Sequence, residues 1–154
     1  MKIEIRQASL NDWEVLQNLN NEVYIHDSQF DSDLDLDRPF SKGGIEYLKK
    51  LANGKYGKCL IAYVDSKPVG YIAMSELKFD HRKSKYIEVE NMGVLAEYRS
   101  MGIGKLLMNE AKKWAIELGI KKLFVVAYSE NVRAINFYNK FGFKSIGLEM
   151  EMDI

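Results

Sequence analysis

A short loop with two glycines and two basic residues is the strongest chemical signal in the chain. The segment RSMGIGK, from Arg99 to Lys105, lies between a strand-like run and a helical one. Glycine weakens the interior of both elements, so Gly102 and Gly104 at the start of a helix indicate a task for the backbone itself. The first turn of a helix has N–H groups without internal acceptors, and glycines let an anion approach them closely. The spacing predicts a phosphate-binding loop; the alternative is a plain strand-to-helix turn.

Two common phosphate loops do not fit this pattern. A P-loop requires a glycine where Arg99 stands and a serine or threonine where Leu106 stands, so no hydroxyl is present to hold magnesium. A dinucleotide fingerprint requires a third glycine where Leu107 stands, and it belongs beside the first strand of its domain. What remains is Arg-x-x-Gly-x-Gly at the end of an interior strand.

Hydrophobic periodicity indicates the elements that must position this loop. The predicted strands are KIEIRQA, KCLIAYVD, PVGYIAMSEL, KYIEVENMGV, KKLFVVAYS and FKSIGLEMEMDI, with KKLFVVAYS apolar enough for a strand buried on both faces. The second and third strands are joined by a tight hairpin at Ser66-Lys67. Ser9 and Ser41 predict the starts of two helices after the first strand. A third helix follows the glycine loop and ends near Gly119, and NVRAINFYNKF forms a fourth that ends at Gly142.

The predicted order is therefore β-α-α-β-β-β-α-β-α-β. The stretch from Tyr86 to Tyr128 has the length and pattern of a right-handed parallel crossover, whereas the earlier hairpin is antiparallel. These elements predict an α/β (α+β) fold in one domain, residues 1–154, with a mixed central β-sheet flanked by helices on both faces.

Composition argues against several classes of function. The 154 residues include 22 Lys and Arg against 22 Asp and Glu, and a net charge of 0 is unlike a nucleic-acid-binding domain. No apolar run reaches the roughly 18 residues of a membrane span, and the N-terminus lacks the pattern of a signal peptide. The single cysteine, Cys59, lies in the apolar run CLIAYV and predicts a buried, inert thiol in a reducing cytoplasm.

An acidic segment follows the first predicted helix. As a calcium loop starting at Asp31 it would need glycine at Leu36 and a carboxylate at Lys42, so we expect no metal there. Its carboxylates could instead attract a cationic amine, the alternative being a merely soluble loop. These carboxylates are Asp31, Asp33, Asp35 and Asp37.

Together, NMGVLAEYRSMGIGKLLM and the downstream NVRAINFYNKFGF resemble the GNAT superfamily of acyl-CoA-dependent N-acetyltransferases. The order of elements fits from Met1 to about Phe143, and the specific part spans Glu88 to Phe143. The resemblance implies a GNAT-like single domain that uses acetyl-CoA as cosubstrate. It implies transfer of the acetyl group to a primary amine of a small molecule or a protein or peptide, by direct attack on the thioester.

The same resemblance implies roles for individual residues. Backbone N–H groups of the glycine loop would bind the coenzyme A pyrophosphate, and the strand before it would pair with the pantetheine arm. The N–H of Val94 would polarise the acetyl carbonyl, and Asn131 would hydrogen-bond on the pantetheine side. The residues implied in cofactor binding are Met92, Gly93, Val94, Arg99, Ser100, Met101, Gly102, Ile103, Gly104, Lys105 and Asn131.

Three residues are candidates for proton transfer. By resemblance, Tyr138 lies near the thioester sulfur as general acid, the alternative being simple packing beside Phe137. Glu88 and Glu90, two apart on a strand, project from one face. Glu88 is favoured, because it matches the position of a base glutamate in some family members, and Glu90, which lies closer to the presumed acetyl carbonyl, is the second candidate. A solvated pair is the alternative. His81, in a basic loop, is a weaker candidate.

One departure from the family concerns the C-terminus. Family members commonly end in two strands after the last helix, and only FKSIGLEMEMDI remains here. A partner subunit could complete the wall of the acceptor site, which makes a homodimer one expectation. The rival function is a non-catalytic acyl-CoA-binding regulatory module. Tyr138 and the glutamate pair favour an enzyme, because a pure binding module needs neither.

Overall fold

The computed structural model describes residues 1–154, in which five strands form one mixed sheet in the order β1-β2-β3-β4-β5. The first four strands pair as antiparallel neighbours, and β5 lies parallel to β4. The strands are β1 (Ile3–Gln7), β2 (Lys58–Val64), β3 (Lys67–Lys78), β4 (Lys85–Val94) and β5 (Leu123–Val125).

Helices cover both faces of this sheet. They are α1 (Trp13–Asp27), α2 (Lys42–Asn53), α3 (Ile103–Glu117) and α4 (Val132–Phe141), with single 3-10 turns at Leu10–Asp12, Arg38–Phe40 and Ala96–Tyr98. Neighbouring residues of β2 belong to opposite cores, since Leu60 packs with α3 and Ile61 packs with α1 and α2. This two-sided burial explains why β2 and β3 are continuous apolar runs. The mixed sheet with helices on both faces confirms the predicted fold class.

Helix ends follow the local sequence signals. The Ser41 hydroxyl accepts the Gly44 N–H at 3.0 Å and begins α2, as predicted. The Ser9 N–H donates to the Asp12 carboxylate at 2.7 Å, but these residues cap a 3-10 turn that leads into α1. The hairpin turn lies at Asp65-Ser66, one residue earlier than predicted, with φ of 47° and 70° at its two residues. Positive φ at both positions matches the twist of the flanking strands.

A β-bulge interrupts β4 next to the predicted chemistry. Val89 pairs with Met74 and Asn91 pairs with Ala73, so Glu90 is an extra residue without a partner on β3. A bulge places two successive residues of one strand opposite one residue of its neighbour. Val89 and Met92 therefore pack in the same core, although three positions separate them.

Two predicted strands differ from the structure. KKLFVVAYS pairs over Leu123–Val125 alone, and Val126 is 59% exposed, so this strand is shorter and less buried than predicted. Residues 144–154 form no strand, and the element order ends at α4. Alternation of apolar and polar residues specifies which face of a strand is apolar, but a strand also needs a neighbouring strand to pair with. No strand of the chain pairs with the outer edge of β5.

The cysteine lies inside the core, as predicted. Cys59 is 2% exposed, and burial raises the pKa of its thiol to about 12, so the thiolate does not form at neutral pH. None of the helices combines the length and apolarity needed to cross a membrane.

Candidate active site

The sheet opens between β4 and β5. β4 runs to Val94, but β5 pairs with it only over Ile87–Val89. Leu95 donates its N–H to the Val69 carbonyl at 2.8 Å, toward β3. Successive residues of an antiparallel strand direct their N–H and C=O groups to alternate sides, so Val94 and Met92 direct theirs away from β3. The second half of β4 therefore presents a backbone edge that β5 does not cover.

This edge leads into a basic loop. Arg99 donates from Nε to the Val94 carbonyl at 2.9 Å, which folds the loop back on the strand. Arg133, on α4, donates to the Ser100 hydroxyl at 3.3 Å. Burial and then the nearby Arg133 hold the pKa of the Arg99 guanidinium below its usual range. Two guanidinium groups beside the exposed Lys105 make this loop a site for an anion.

The start of α3 leaves its N–H groups free. Gly102 is the N-cap in a left-handed conformation, with φ of 84° and no side-chain hydrogen bond. The first helical bond runs from the Leu106 N–H to the Gly102 carbonyl, so the N–H groups of the preceding turn have no helical acceptor. A Cβ atom at Gly102 would meet no atom within 4 Å, so glycine is required here by φ. The sequence at this turn can therefore hold phosphate oxygens on backbone donors.

The other predicted cofactor residues have different surroundings. Ile103 is 1% exposed and Met101 is 41% exposed, so the Ile103 side chain belongs to the core while its N–H lies in the free turn. A Cβ atom at Gly93 would lie 2.4 Å from a methyl group of Val23, which explains this glycine by the close packing of α1. Asn131 accepts the Ala134 N–H at 3.1 Å and caps α4, and its side-chain amide N–H groups are free to donate to a ligand.

Tyr138 packs between aromatic rings beside the open edge. Its ring lies edge-on to Phe137 and to Phe143, each at 5.4 Å between centroids. Burial, followed by the charge of Asp27, raises the pKa of Tyr138 to about 12. No side-chain hydrogen bond contributes to this shift, and the phenol stays protonated throughout the physiological range. Tyr138 therefore packs, and also carries a proton that it can donate.

Glu88 and Glu90 lie on the α1/α2 face of the sheet, because Ile87 and Val89 belong to the opposite core. Glu90 accepts the Tyr47 hydroxyl at 2.9 Å. Burial, and then repulsion from Glu90, raises the pKa of Glu88. Glu90 lines both the large groove described next and a cavity of about 290 Å³ beside α2, whereas Glu88 lines neither. Glu90 thus borders open space that Glu88 does not, although Glu88 was favoured from the sequence.

An open groove of about 2440 Å³ joins these features. Its lining includes Met92, Val94, Gly102 and Tyr138. Asp31, the first carboxylate of the acidic loop, also lines the groove and accepts the Tyr128 hydroxyl at 2.9 Å. Its other carboxylates, Asp33, Asp35 and Asp37, are exposed. His81 is exposed and its ring lies 5.6 Å from that of Phe79, outside the groove lining. No group of three or more His, Cys, Asp or Glu side chains is arranged to hold a metal ion.

Comparison with known proteins identifies the family of this chain. The sequence model of the "Acetyltransferase (GNAT) family" matches residues 13–143. The chain belongs to the GNAT acetyltransferase family.

Individual relatives of this GNAT chain are distant. It is 26% identical over 136 residues to the uncharacterized N-acetyltransferase CgeE of Bacillus subtilis. The aligned region covers 88% of this chain but only 48% of that protein. The chain thus spans about half the length of that relative. Among solved structures, it is similar to a mutant of BH1408 from Bacillus halodurans, with a TM-score of 0.84, 20% identity and coverage of 98% and 99% of the two chains. It is also similar to the aminoglycoside N-acetyltransferase AAC(6')-Iy in complex with CoA, with a TM-score of 0.75, 17% identity and coverage of 99% and 95%.

Several residues around this GNAT site were not predicted from the sequence. Tyr47, on α2, donates to Glu90 on β4, and Arg133, on α4, donates to Ser100 in the glycine loop. The hydroxyl of Tyr71 donates to Asn91 at 2.6 Å and accepts from Asn20 at 2.9 Å, which ties α1 to both central strands. Only Asn20 carried a sequence signal, because it lies at helical spacing in the apolar stripe of α1.

Proposed function

We propose that this chain transfers an acetyl group from acetyl-CoA to a primary amine, by direct attack of the amine on the thioester. The observation that supports this most strongly is the uncovered backbone edge at Met92 and Val94, which runs directly into the free N–H groups at the start of α3. A single domain of residues 1–154 carries both halves of this site. The buried, unpaired Cys59 fits a reducing, cytoplasmic location for the reaction.

Coenzyme A binding divides between backbone and charge. The N–H groups from Gly102 to Lys105 bind the pyrophosphate, and Arg99, Arg133 and Lys105 supply the positive potential. Ser100 and Met101 complete the turn with their backbone. The N–H and C=O groups of Met92 pair with the amide groups of the pantetheine arm, as a neighbouring strand would, and the Val94 N–H stays available for the acetyl group. The amide of Asn131 lies on the other side of this arm.

Acetyl-CoA supplies an activated acyl thioester, and the chain stabilises charge as this bond breaks. The Val94 N–H donates to the acetyl oxygen, which becomes more negative in the transition state. Loss of one such donor typically lowers turnover roughly 10²–10³-fold. The hydroxyl of Tyr138 donates its proton to the departing thiolate sulfur. With a pKa of about 12, this hydroxyl is protonated at neutral pH, as an ordinary tyrosine is.

The attacking amine must arrive neutral. An ordinary alkyl amine has a pKa near 10, so at pH 7 only roughly one molecule in a thousand carries a free lone pair. A carboxylate at the acceptor side removes the proton, directly or through water. Glu90 is the better placed, since it lines the groove and the cavity beside α2. Glu88, whose pKa is raised, is the second candidate, because a more basic carboxylate accepts a proton more readily.

The acceptor is a cationic small-molecule or peptide amine. Asp31 lines the groove, and the exposed carboxylates that follow it, Asp33, Asp35 and Asp37, raise the local concentration of such a molecule. Aminoglycosides, the substrates named for one structural neighbour, are amines of this kind.

The deciding experiment mixes the purified chain with acetyl-CoA and a panel of small amines and peptides, and measures thiol release. Saturable release that requires an amine is expected. Calorimetry with CoA and with acetyl-pantetheine, which lacks the pyrophosphate, is run in parallel. CoA should bind much more tightly, and equal affinities would contradict the role of the glycine loop. CoA binding without thiol release for any amine would favour the non-catalytic module.

A further inference from the structure

The bulge of β4 places two consecutive polar side chains on the same face of the sheet. Val89 and Met92, on either side of the pair, pack in the core beneath α3. Between them, Glu90 faces α2, and Asn91 accepts the hydroxyl of Tyr71, whose ring lies in the core beneath α1 and α2. In a regular strand, two residues on one face are roughly 6.6 Å apart, whereas consecutive Cα atoms are about 3.8 Å apart. The bulge therefore creates an unusually close pair of a carboxylate and an amide.

A buried hydrogen-bonded chain fixes the orientation of the Asn91 amide. Tyr71 is 0% exposed and Asn20 is 3% exposed. The Asn20 amide donates to the Tyr71 oxygen at 2.9 Å, and the Tyr71 hydroxyl donates to Oδ1 of Asn91 at 2.6 Å. The charge of the neighbouring Glu90 favours the same orientation, because a carboxylate attracts the donor end of an amide and repels its oxygen. Asn91 is thus held with Oδ1 toward the core.

The free ends of this pair border open space. The side-chain N–H groups of Asn91 donate to no group in the chain, and Tyr47 donates to only one of the two Glu90 oxygens. Both Glu90 and Asn91 line the groove. Polar groups in a partly buried site normally have a hydrogen-bond partner, which is water or a ligand when the chain supplies none. The groove therefore contains an acceptor and a donor side by side.

This pair is complementary to one arrangement of atoms in an acceptor molecule. The amine lies against the Glu90 carboxylate, and an oxygen on the next carbon accepts a hydrogen bond from Asn91. Amino alcohols, amino sugars and the N-termini of peptides all have an amine and an oxygen on adjacent carbons. A plain alkyl amine would leave the Asn91 donor without a partner. Sites that hydrogen-bond a polar group of their substrate discriminate against analogues that lack the group.

We propose that Asn91 selects acceptors in which the carbon next to the amine-bearing carbon carries an oxygen, and that Tyr71 and Asn20 are positioning residues for this contact. The proposal rests on the proposed function, because it narrows the class of amine that receives the acetyl group. Two contacts to one small molecule also fix its rotation, so the amine lone pair approaches the thioester from one direction.

The first test detects the contact without turnover. The side-chain amide signal of Asn91 is identified in a nitrogen–proton correlation spectrum by its loss in Asn91→Leu. The parent, in the presence of CoA, is then titrated with 2-aminocyclohexanol and separately with cyclohexylamine. We expect a saturable shift of this signal with the amino alcohol and a much smaller one with the plain amine. No shift with either compound, or equal shifts with both, overturns the proposal.

The second test measures selectivity by thiol release from acetyl-CoA. The ratio of kcat/KM for the two amines is compared between the parent and Asn91→Leu, because their different basicities cancel in this comparison. Loss of one hydrogen bond should lower the preference for the amino alcohol roughly 3–10-fold. Asn139→Leu is the matched control, since Asn139 is exposed and lines the groove on α4, and it should keep the parental ratio. An unchanged ratio in Asn91→Leu, or an equal change in Asn139→Leu, contradicts the assignment.

The positioning role has its own readout. Tyr71→Phe, assayed well below its unfolding midpoint, should lose selectivity as Asn91→Leu does while its affinity for CoA stays parental. A parental ratio in Tyr71→Phe would exclude this role. If the parent releases no thiol with any amine, the proposed function is wrong, and the response of the Asn91 signal still decides whether this pair binds an amine with a neighbouring oxygen.

Discussion

Replacing Gly102 with alanine isolates the role of backbone conformation in the loop. Gly102 has φ of 84°, and a Cβ atom there would meet no other atom within 4 Å. Gly102→Ala therefore adds no clash, and its whole effect comes from holding an L-residue in the left-handed region. That conformation costs roughly 1–2 kcal/mol for a residue with a Cβ atom. For a chain of this size the loss lowers the unfolding midpoint by about 2–8 °C.

The same free energy limits the effect on binding. If the free variant relaxes to an ordinary conformation, CoA binding must restore the left-handed one. The dissociation constant for CoA then rises by at most the factor that corresponds to this strain, roughly 5–30-fold. Titration calorimetry with CoA measures this factor, and thermal unfolding of the free protein measures the strain.

Gly54→Ala is the matched control. Gly54 follows α2 with φ of 67°, and a Cβ atom there would make only ordinary contacts at 3.7 Å and beyond. It should lower the unfolding midpoint by a similar amount and leave CoA affinity unchanged, because Gly54 lies outside the groove. If Gly102→Ala matches the parent in both measurements, the left-handed turn is dispensable. If both variants weaken CoA equally, the effect is a general loss of stability.

Four further substitutions test the site and its support. Tyr138→Phe should lower kcat while the dissociation constant for acetyl-CoA stays near the parental value, because the hydroxyl acts mainly in the transition state; an unchanged kcat, with chemistry rate-limiting, would leave Tyr138 a packing role only. Of Glu90→Gln and Glu88→Gln, the one that removes the base should lower turnover about 10²-fold at pH 7, and the pH–rate profile should show the deficit shrinking as the amine deprotonates; two parental profiles would exclude both. Since the pKa of Glu88 in the folded state is raised above 4.5, ionisation of this carboxyl opposes folding as pH rises past that value. Glu88→Gln should therefore have a higher unfolding midpoint than the parent at pH 7 and an equal one below pH 4. A difference between the two midpoints that stays constant with pH would contradict this. Tyr71→Phe should cost about 1–3 kcal/mol in urea unfolding, because it leaves the buried amide of Asn20 without an acceptor, and a loss near zero would mean that water replaces the hydroxyl.

The elements near the site were predictable because their signals are local. Alternation identified β4 with its bounds from Lys85 to Val94, and side-chain caps identified the starts of α2 and α4. Glycines with positive φ, such as Gly142 at 111°, end helices by their own conformational freedom. Each of these features depends on a few consecutive residues.

What the sequence did not predict depends on contacts between distant segments. The bulge at Glu90 exists only relative to β3, and Arg133 reaches Ser100 across 33 positions. The apolar run after Lys122 has the composition of a buried strand, but only Leu123–Val125 find a pairing partner, and no strand of the chain pairs with the outer edge of β5. The tail, residues 144–154, likewise alternates as a strand does but pairs with no strand of the chain.

The bulge gives Glu90 a peculiar status among the residues of β4. Because it has no counterpart on β3, removing it would let Val89 and Asn91 become consecutive partners of Met74 and Ala73. Every other side chain of the strand would keep the face that it has now. A deletion elsewhere in β4 would instead move every side chain between the deleted position and the bulge to the opposite face of the sheet. Glu90 is thus an inserted residue in an otherwise regular strand. The chain could gain or lose this carboxylate while the side chains of the core keep their places.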